Sequence, residues 1–116
     1  MNATCDTCES ALRHTAGPPP HNVDVLGTTA ELADRVAEGR MRYLRGDVPL
    51  EDMIDLARSE LRYTIVSFLE CADCGQVKFW GLCIRGAPIY KTVDAGVPAA
   101  WKWEPVPSRE TWARQA

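Results

Sequence analysis

The sequence predicts an α+β protein in which two amphipathic helices pack on a three- to four-stranded antiparallel sheet. Three observations carry that prediction. Apolar residues recur at helical spacing between Thr28 and Leu61. From Arg62 onward the chain turns β-branched and aromatic in short runs. Gly- and Pro-containing turns separate those runs, as hairpin connections do. Helices first and strands afterwards is the α+β order.

A chain of 116 residues reads as one domain, large enough to bury roughly two-thirds of its unfolded surface. We divide it into an N-terminal cysteine pair (1–12), a proline-rich connector (13–27), a helical pair (28–61), the antiparallel sheet (62–106) and a short C-terminal helix (107–116). The connector holds Gly17-Pro18-Pro19-Pro20-His21-Asn22, which resists helix and favours a stiff extended spacer. The first helix is expected to begin at Thr28, where Thr28-x-x-Glu31 fits a capping box. Ala33, Val36, Ala37, Met41 and Leu44 share one face of it, and Gly46 is its expected left-handed cap. A second helix starts at Pro49, whose missing amide proton costs nothing at a first turn. Its stripe is Leu50, Met53, Ile54, Ala57 and Leu61.

Tyr63-Thr64-Ile65-Val66-Ser67-Phe68-Leu69 is apolar on both faces, which suits a central strand covered on both sides. Cys71 to Gly75 then form a tight turn into a strand over Val77–Ile84. A further turn leads to Ile89–Val93. Trp101-Lys102-Trp103-Glu104 alternates as an expected fourth strand, ended by Pro105 and Pro107. Ser108 can cap a last short helix containing Trp112.

The cysteines carry the clearest chemistry. Cys5-Asp-Thr-Cys8 and Cys71-Ala-Asp-Cys74 are two Cys-x-x-Cys pairs, a spacing that lets one turn aim two sulfurs at a single ion. Gly75 follows the second pair, where the backbone needs freedom to turn. Cys71-Ala-Asp-Cys74-Gly75 resembles the knuckle of zinc-ribbon and rubredoxin-like proteins over about ten residues, and that resemblance implies a closed structural Zn²⁺ site formed by Cys5, Cys8, Cys71 and Cys74. The two pairs lie farther apart than in common zinc ribbons, with 62 residues between Cys8 and Cys71, so the helices would be an insertion between the halves. Loop closure entropy grows only logarithmically and tolerates this. Four thiolates suit zinc or iron. Cys83, His14 or His21 taking the place of one ligand stays open. A dithiol redox role finds less support, because Gln76-Val77-Lys78-Phe79 continues as strand where a redox motif would feed a helix N-terminus.

Composition narrows function. The net charge of −3, with 46% hydrophobic and 25% charged residues, offers no overall attraction to nucleic acid or anionic lipid. The first residues lack the basic and apolar regions of a signal peptide, and no run reaches the ~20 apolar residues of a bilayer span, so a cytoplasmic location is expected. No catalytic constellation is visible, and we expect no enzyme. Trp80, Trp101, Trp103 and Trp112 crowd the last third, either as core or as interface. We expect a surface of Trp101, Trp103 and Trp112, flanked by Arg109 and Arg114, to bind a protein partner, in the manner of an immunity or antitoxin protein or an adaptor. The alternative is a zinc-containing nucleic-acid-binding or regulatory factor using Arg35, Arg40, Arg42 and Arg45. The acidic second helix, with Glu51, Asp52, Asp55 and Glu60, resists that reading. Oligomeric state is not legible.

Overall fold

A computed structural model describes residues 5–19 and 21–112. Cys5 precedes a single helical turn, α1 (Asp6–Glu9). The proline-rich connector then doubles back on itself. The Thr15 amide donates to the Asn22 carbonyl at 2.7 Å and the Asp24 amide to the Arg13 carbonyl at 2.9 Å, either side of a His14–Val23 bridge. The segment is thus a loop closed at its base, where an extended spacer was expected; Pro20 lies outside the described residues.

The first long helix, α2 (Val25–Ala37), starts earlier than its capping box implied. Asp24 is the cap, its carboxylate accepting the Gly27 amide at 2.9 Å. Thr28 is buried and accepts the Arg13 amide instead, while Glu31 pairs with Arg35. The helix also ends sooner. Gly39 sits at φ +78°, a left-handed conformation cheap only for glycine, and it breaks the stripe before Met41. Residues expected to finish that helix form a strand, β1 (Met41–Gly46). Gly46 caps no helix: it lies in β1 under the Tyr43 side chain, where a Cβ would collide with the Tyr43 hydroxyl. Met41 and Tyr43 also satisfy a period of two, and pairing with β2 decides between the two periods.

Pro49 caps α3 (Leu50–Ser59), whose Leu50, Met53 and Leu56 are buried. Leu61 lies beyond its end and is exposed, since Glu60 turns left-handed at φ 59°. Three strands follow: β2 (Thr64–Cys71), β3 (Val77–Cys83) and β4 (Ile89–Val93). The sheet is antiparallel throughout in the order β1-β2-β3-β4, with Met41 opposite Cys71, Phe68 opposite Phe79, and Trp80 opposite Tyr90. The fourth strand is therefore β1. Residues 101–104 form no strand; they follow the short helix α4 (Val97–Ala100), and the Trp103 indole donates to the Pro98 carbonyl at 3.0 Å. The last described element is α5 (Arg109–Trp112).

Both faces of the sheet are covered. On one, Leu32 of α2 and Met53 and Leu56 of α3 meet Ile65, Leu69, Trp80 and Leu82, together with Cys8, Ala11 and Trp112. On the other, Val66, Phe68, Val77 and Phe79 are roofed by Val97 and Trp103. Burying each large apolar side chain contributes about 1.5–3 kcal/mol. The Trp80 indole keeps its polar atom satisfied in the first core by donating to Thr29 Oγ1 at 3.1 Å.

Candidate metal centre

The sheet brings the two cysteine pairs together. Cys71 is the last residue of β2 and Cys74 lies in the turn to β3, where the Gly75 amide donates to the Cys71 carbonyl at 2.8 Å and Gly75 takes φ +79°. Cys5 and Cys8 straddle the start of α1, and the Glu9 amide donates to the Cys5 carbonyl at 2.9 Å. The four sulfurs lie within 4.8 Å of one another. Across the two halves, Cys5 meets Cys71 at 3.7 Å and Cys8 meets Cys74 at 3.6 Å. Those spacings are far too long for disulfides, whose sulfurs stand about 2.05 Å apart. A tetrahedron of sulfurs around an ion at about 2.3 Å has edges of about 3.8 Å. The donor set therefore fits a four-coordinate metal ion.

The electrostatics point the same way. Amides of Cys8 and Thr7 directed at the Cys5 sulfur lower its pKa to about 7, the Cys8 amide foremost. Burial pushes Cys8 up, as do the neighbouring thiols, and burial likewise raises Cys71 although the Cys74 and Asp73 amides oppose it. Sulfurs this close cannot all carry charge unless a cation sits among them. Cys8 and Cys71 are buried, whereas Cys74 is exposed.

A polar frame docks the N-terminal turn without recourse to the sulfurs. The buried Arg35 of α2 donates to the Thr7 carbonyl at 2.6 Å and to Ser10 Oγ at 2.9 Å, while Glu31 balances its charge. Arg35 and, behind it, Arg13 hold the Glu31 carboxyl below its ordinary pKa. The buried Lys78 of β3 pairs with Glu9 and donates to Thr92 Oγ1 at 2.7 Å. The Tyr90 hydroxyl donates to the Cys8 carbonyl at 2.6 Å, and Thr7 donates to Asp73 across the two knuckles. Sequence reasoning passed over Lys78 and Tyr90 and counted Arg35 toward a nucleic-acid surface, whereas it is buried beneath the N-terminal turn. The signal was a lysine between Val77 and Phe79 in an otherwise apolar strand, because a cation there must find an anion.

Other candidate residues fall elsewhere. Cys83, at the far end of β3, stands apart from the cluster, which among the described residues contains no histidine. Of the five residues expected to share one binding surface, the four that are described do not sit together. Trp101 and Trp103 lie over Phe68 at ring-centroid distances of 5.5 and 5.9 Å, and Trp101 is 37% exposed. Trp112 is buried in the helix-side core, its indole donating to the Pro107 carbonyl at 2.9 Å. Arg109 clamps Asp52 at 2.6 Å and Asp55 at 2.7 Å on α3. Arg114 lies outside the described residues. Nor do Arg35, Arg40, Arg42 and Arg45 share one helix, since β1 runs between α2 and α3 and carries Arg42 and Arg45.

Fold and site define an α+β protein with a four-cysteine cluster compatible with a zinc-ribbon-like centre. Comparison with protein-family models, curated proteins and solved structures gives no match for this chain. Among the described residues no helix is long and apolar enough to cross a membrane.

Proposed function

We propose that the protein is a non-enzymatic cytoplasmic module, braced by one structural Zn²⁺ held by Cys5, Cys8, Cys71 and Cys74, that binds a protein partner through the aromatic face around Trp101 and Trp103. The observation that carries the structural role is the sulfur cluster itself. Four thiolates complete a tetrahedral shell and leave no position for a substrate or water. When bound, the ion supplies a crosslink between α1 and the β2–β3 turn. Arg35, Lys78 and Tyr90 orient the N-terminal turn so that Cys5 and Cys8 are aimed before the ion arrives.

The partner surface is supported by chemistry rather than by charge. Trp101 is an exposed aromatic on the sheet face away from α2 and α3, Arg45 stacks over Trp103 at 4.5 Å, and Lys91 stands 5.5 Å from the Phe79 ring. Tryptophan and arginine are the usual anchors of protein interfaces. Arg109 neutralises two carboxylates of α3, so the acidic helix is less suited to contact a basic partner. The reading is tested in two stages. Native mass spectrometry with and without chelator should show one zinc ion per chain. Affinity capture from the native extract should then recover a protein with the parent chain and lose it with Trp101→Ser. Capture that is identical for both chains refutes the surface. Retention on DNA or RNA that falls steeply with salt would replace the reading with a nucleic-acid one.

A further inference from the structure

At the opposite end of β3 from the cysteines, an apolar cleft of about 320 Å³ opens between α2, α3 and the β3–β4 turn. Leu26, Ile54, Ala57, Leu82, Ile84 and Pro88 line it, and Leu26 at its lip is 56% exposed. None of the lining residues is acidic, and a single cation, Arg58, enters the wall from α3. Arg58 is exposed and makes no ion pair within 4 Å among the described residues. The reason is visible one turn back on the same helix. Asp55, the carboxylate that would meet Arg58 at i,i+3, is held by Arg109 at 2.7 Å. Arg85, in the turn whose Ile84 and Gly86 line the cleft, is exposed and likewise has no ion pair among the described residues.

An apolar cavity flanked by two unspent cations selects for a molecule with an apolar body and an anionic head. We infer that this cleft is a binding site for a small organic carboxylate whose body holds about eight to ten carbons, a size suited to the lower end of the ~300–1,000 Å³ range of ligand cavities. The aliphatic part lies along Leu26, Ile54 and Leu82, and the carboxylate meets Arg58 at the rim. The site shares no lining residue with the sulfur cluster or with the Trp101 face, so it stands or falls independently of the function proposed above.

The test uses the full chain as purified, with octanoate as probe and octanol as its uncharged counterpart, both followed by calorimetry. Octanoate should bind saturably, one per chain, with a Kd near or below about 1 mM, as expected for ten non-hydrogen atoms. Arg58→Gln, on an exposed side chain that the fold does not need, should weaken octanoate about fivefold and leave octanol unchanged. Cys83 lines the cleft and reports occupancy. Its alkylation by iodoacetamide, read by peptide mass spectrometry, should slow when octanoate is present. Leu26→Ser, also exposed, should weaken octanoate and octanol alike. The inference is overturned if octanoate shows no saturable binding, if octanol binds as tightly, if Arg58→Gln leaves octanoate affinity unaltered, or if Cys83 alkylation is indifferent to the probe.

Discussion

Removing the proposed ion should loosen the whole domain. Cys5 and Cys71 are 66 positions apart in the chain, so an ion bridging them closes a long loop in the unfolded state. In the chain-entropy treatment of crosslinks, a loop of that length contributes about 4 kcal/mol. Two effects reduce this figure. The unfolded chain still binds metal through its separate cysteine pairs, and Arg35, Lys78 and Tyr90 keep α1 docked without the ion. A net loss of about 2–4 kcal/mol remains, a large part of the ~5–15 kcal/mol by which domains are stable. For 116 residues each kcal/mol moves the midpoint by roughly 4 °C. Chelated protein should therefore melt roughly 8–16 °C below the loaded form. Differential scanning calorimetry measures this, with native mass spectrometry confirming that the metal has left. Hydrogen exchange adds a local readout, since the Glu9 and Ser10 amides, bonded to the Cys5 and Asp6 carbonyls, should lose protection first. Cys74→Ser removes the exposed ligand with little effect on packing and should reproduce most of the loss, whereas Cys83→Ser should not. A verified metal-free protein melting within about 2 °C of the loaded one would refute the crosslink argument.

Three further outcomes follow from the same structure. Gly75→Ala should cost about 1 kcal/mol in urea unfolding, because a Cβ there meets no atom within 4 Å and only the left-handed φ of +79° is penalised; Gly75→Asn should cost less. Trp80→Phe removes the indole donor to Thr29 Oγ1 and leaves a gap in the helix-side core, so urea denaturation should report a loss of about 1–3 kcal/mol. The third concerns acid. Arg35 and Arg13 lower the Glu31 pKa in the folded state, so its share of stability is full above the unfolded value near 4.3 and disappears as pH falls through the lower folded value. Glu31→Gln should then be less stable than the parent at pH 7, with the two urea midpoints converging in acid. Equal differences at both pH values would count against the ion pair.

The candidate site was more legible than the fold around it. Cys-x-x-Cys spacing is local, so Cys71 to Gly75 announced a knuckle on sequence alone, and sulfur chemistry proposed its counterpart at Cys5 and Cys8. The long strands were legible too, because β2 and β3 are β-branched and aromatic on both faces, as strands roofed on two sides must be. Met41 and Leu44 misled for a physical reason. They extend a helical stripe, but the same stretch also satisfies a strand period, and a short segment cannot choose between the two without its neighbour. The capping box failed similarly: Asp24 and Thr28 are both good caps, and the Arg13 amide claims Thr28.

What the amino-acid order determined by itself was therefore the local chemistry: the knuckle thiols, the apolar stripe of α3, the turn at Gly75 and the apolar content of the central strands. Only the tertiary structure decided which distant groups meet. It put β1 on the edge of the sheet beside β2, split Trp112 from Trp101 and Trp103 onto opposite faces, and drew Arg35, Lys78 and Tyr90 around the cysteine turn. Periodicity and turn chemistry act within a few residues, whereas pairing, burial and charge compensation are settled between segments tens of residues apart, where one strand register selects among partners that the sequence leaves equal.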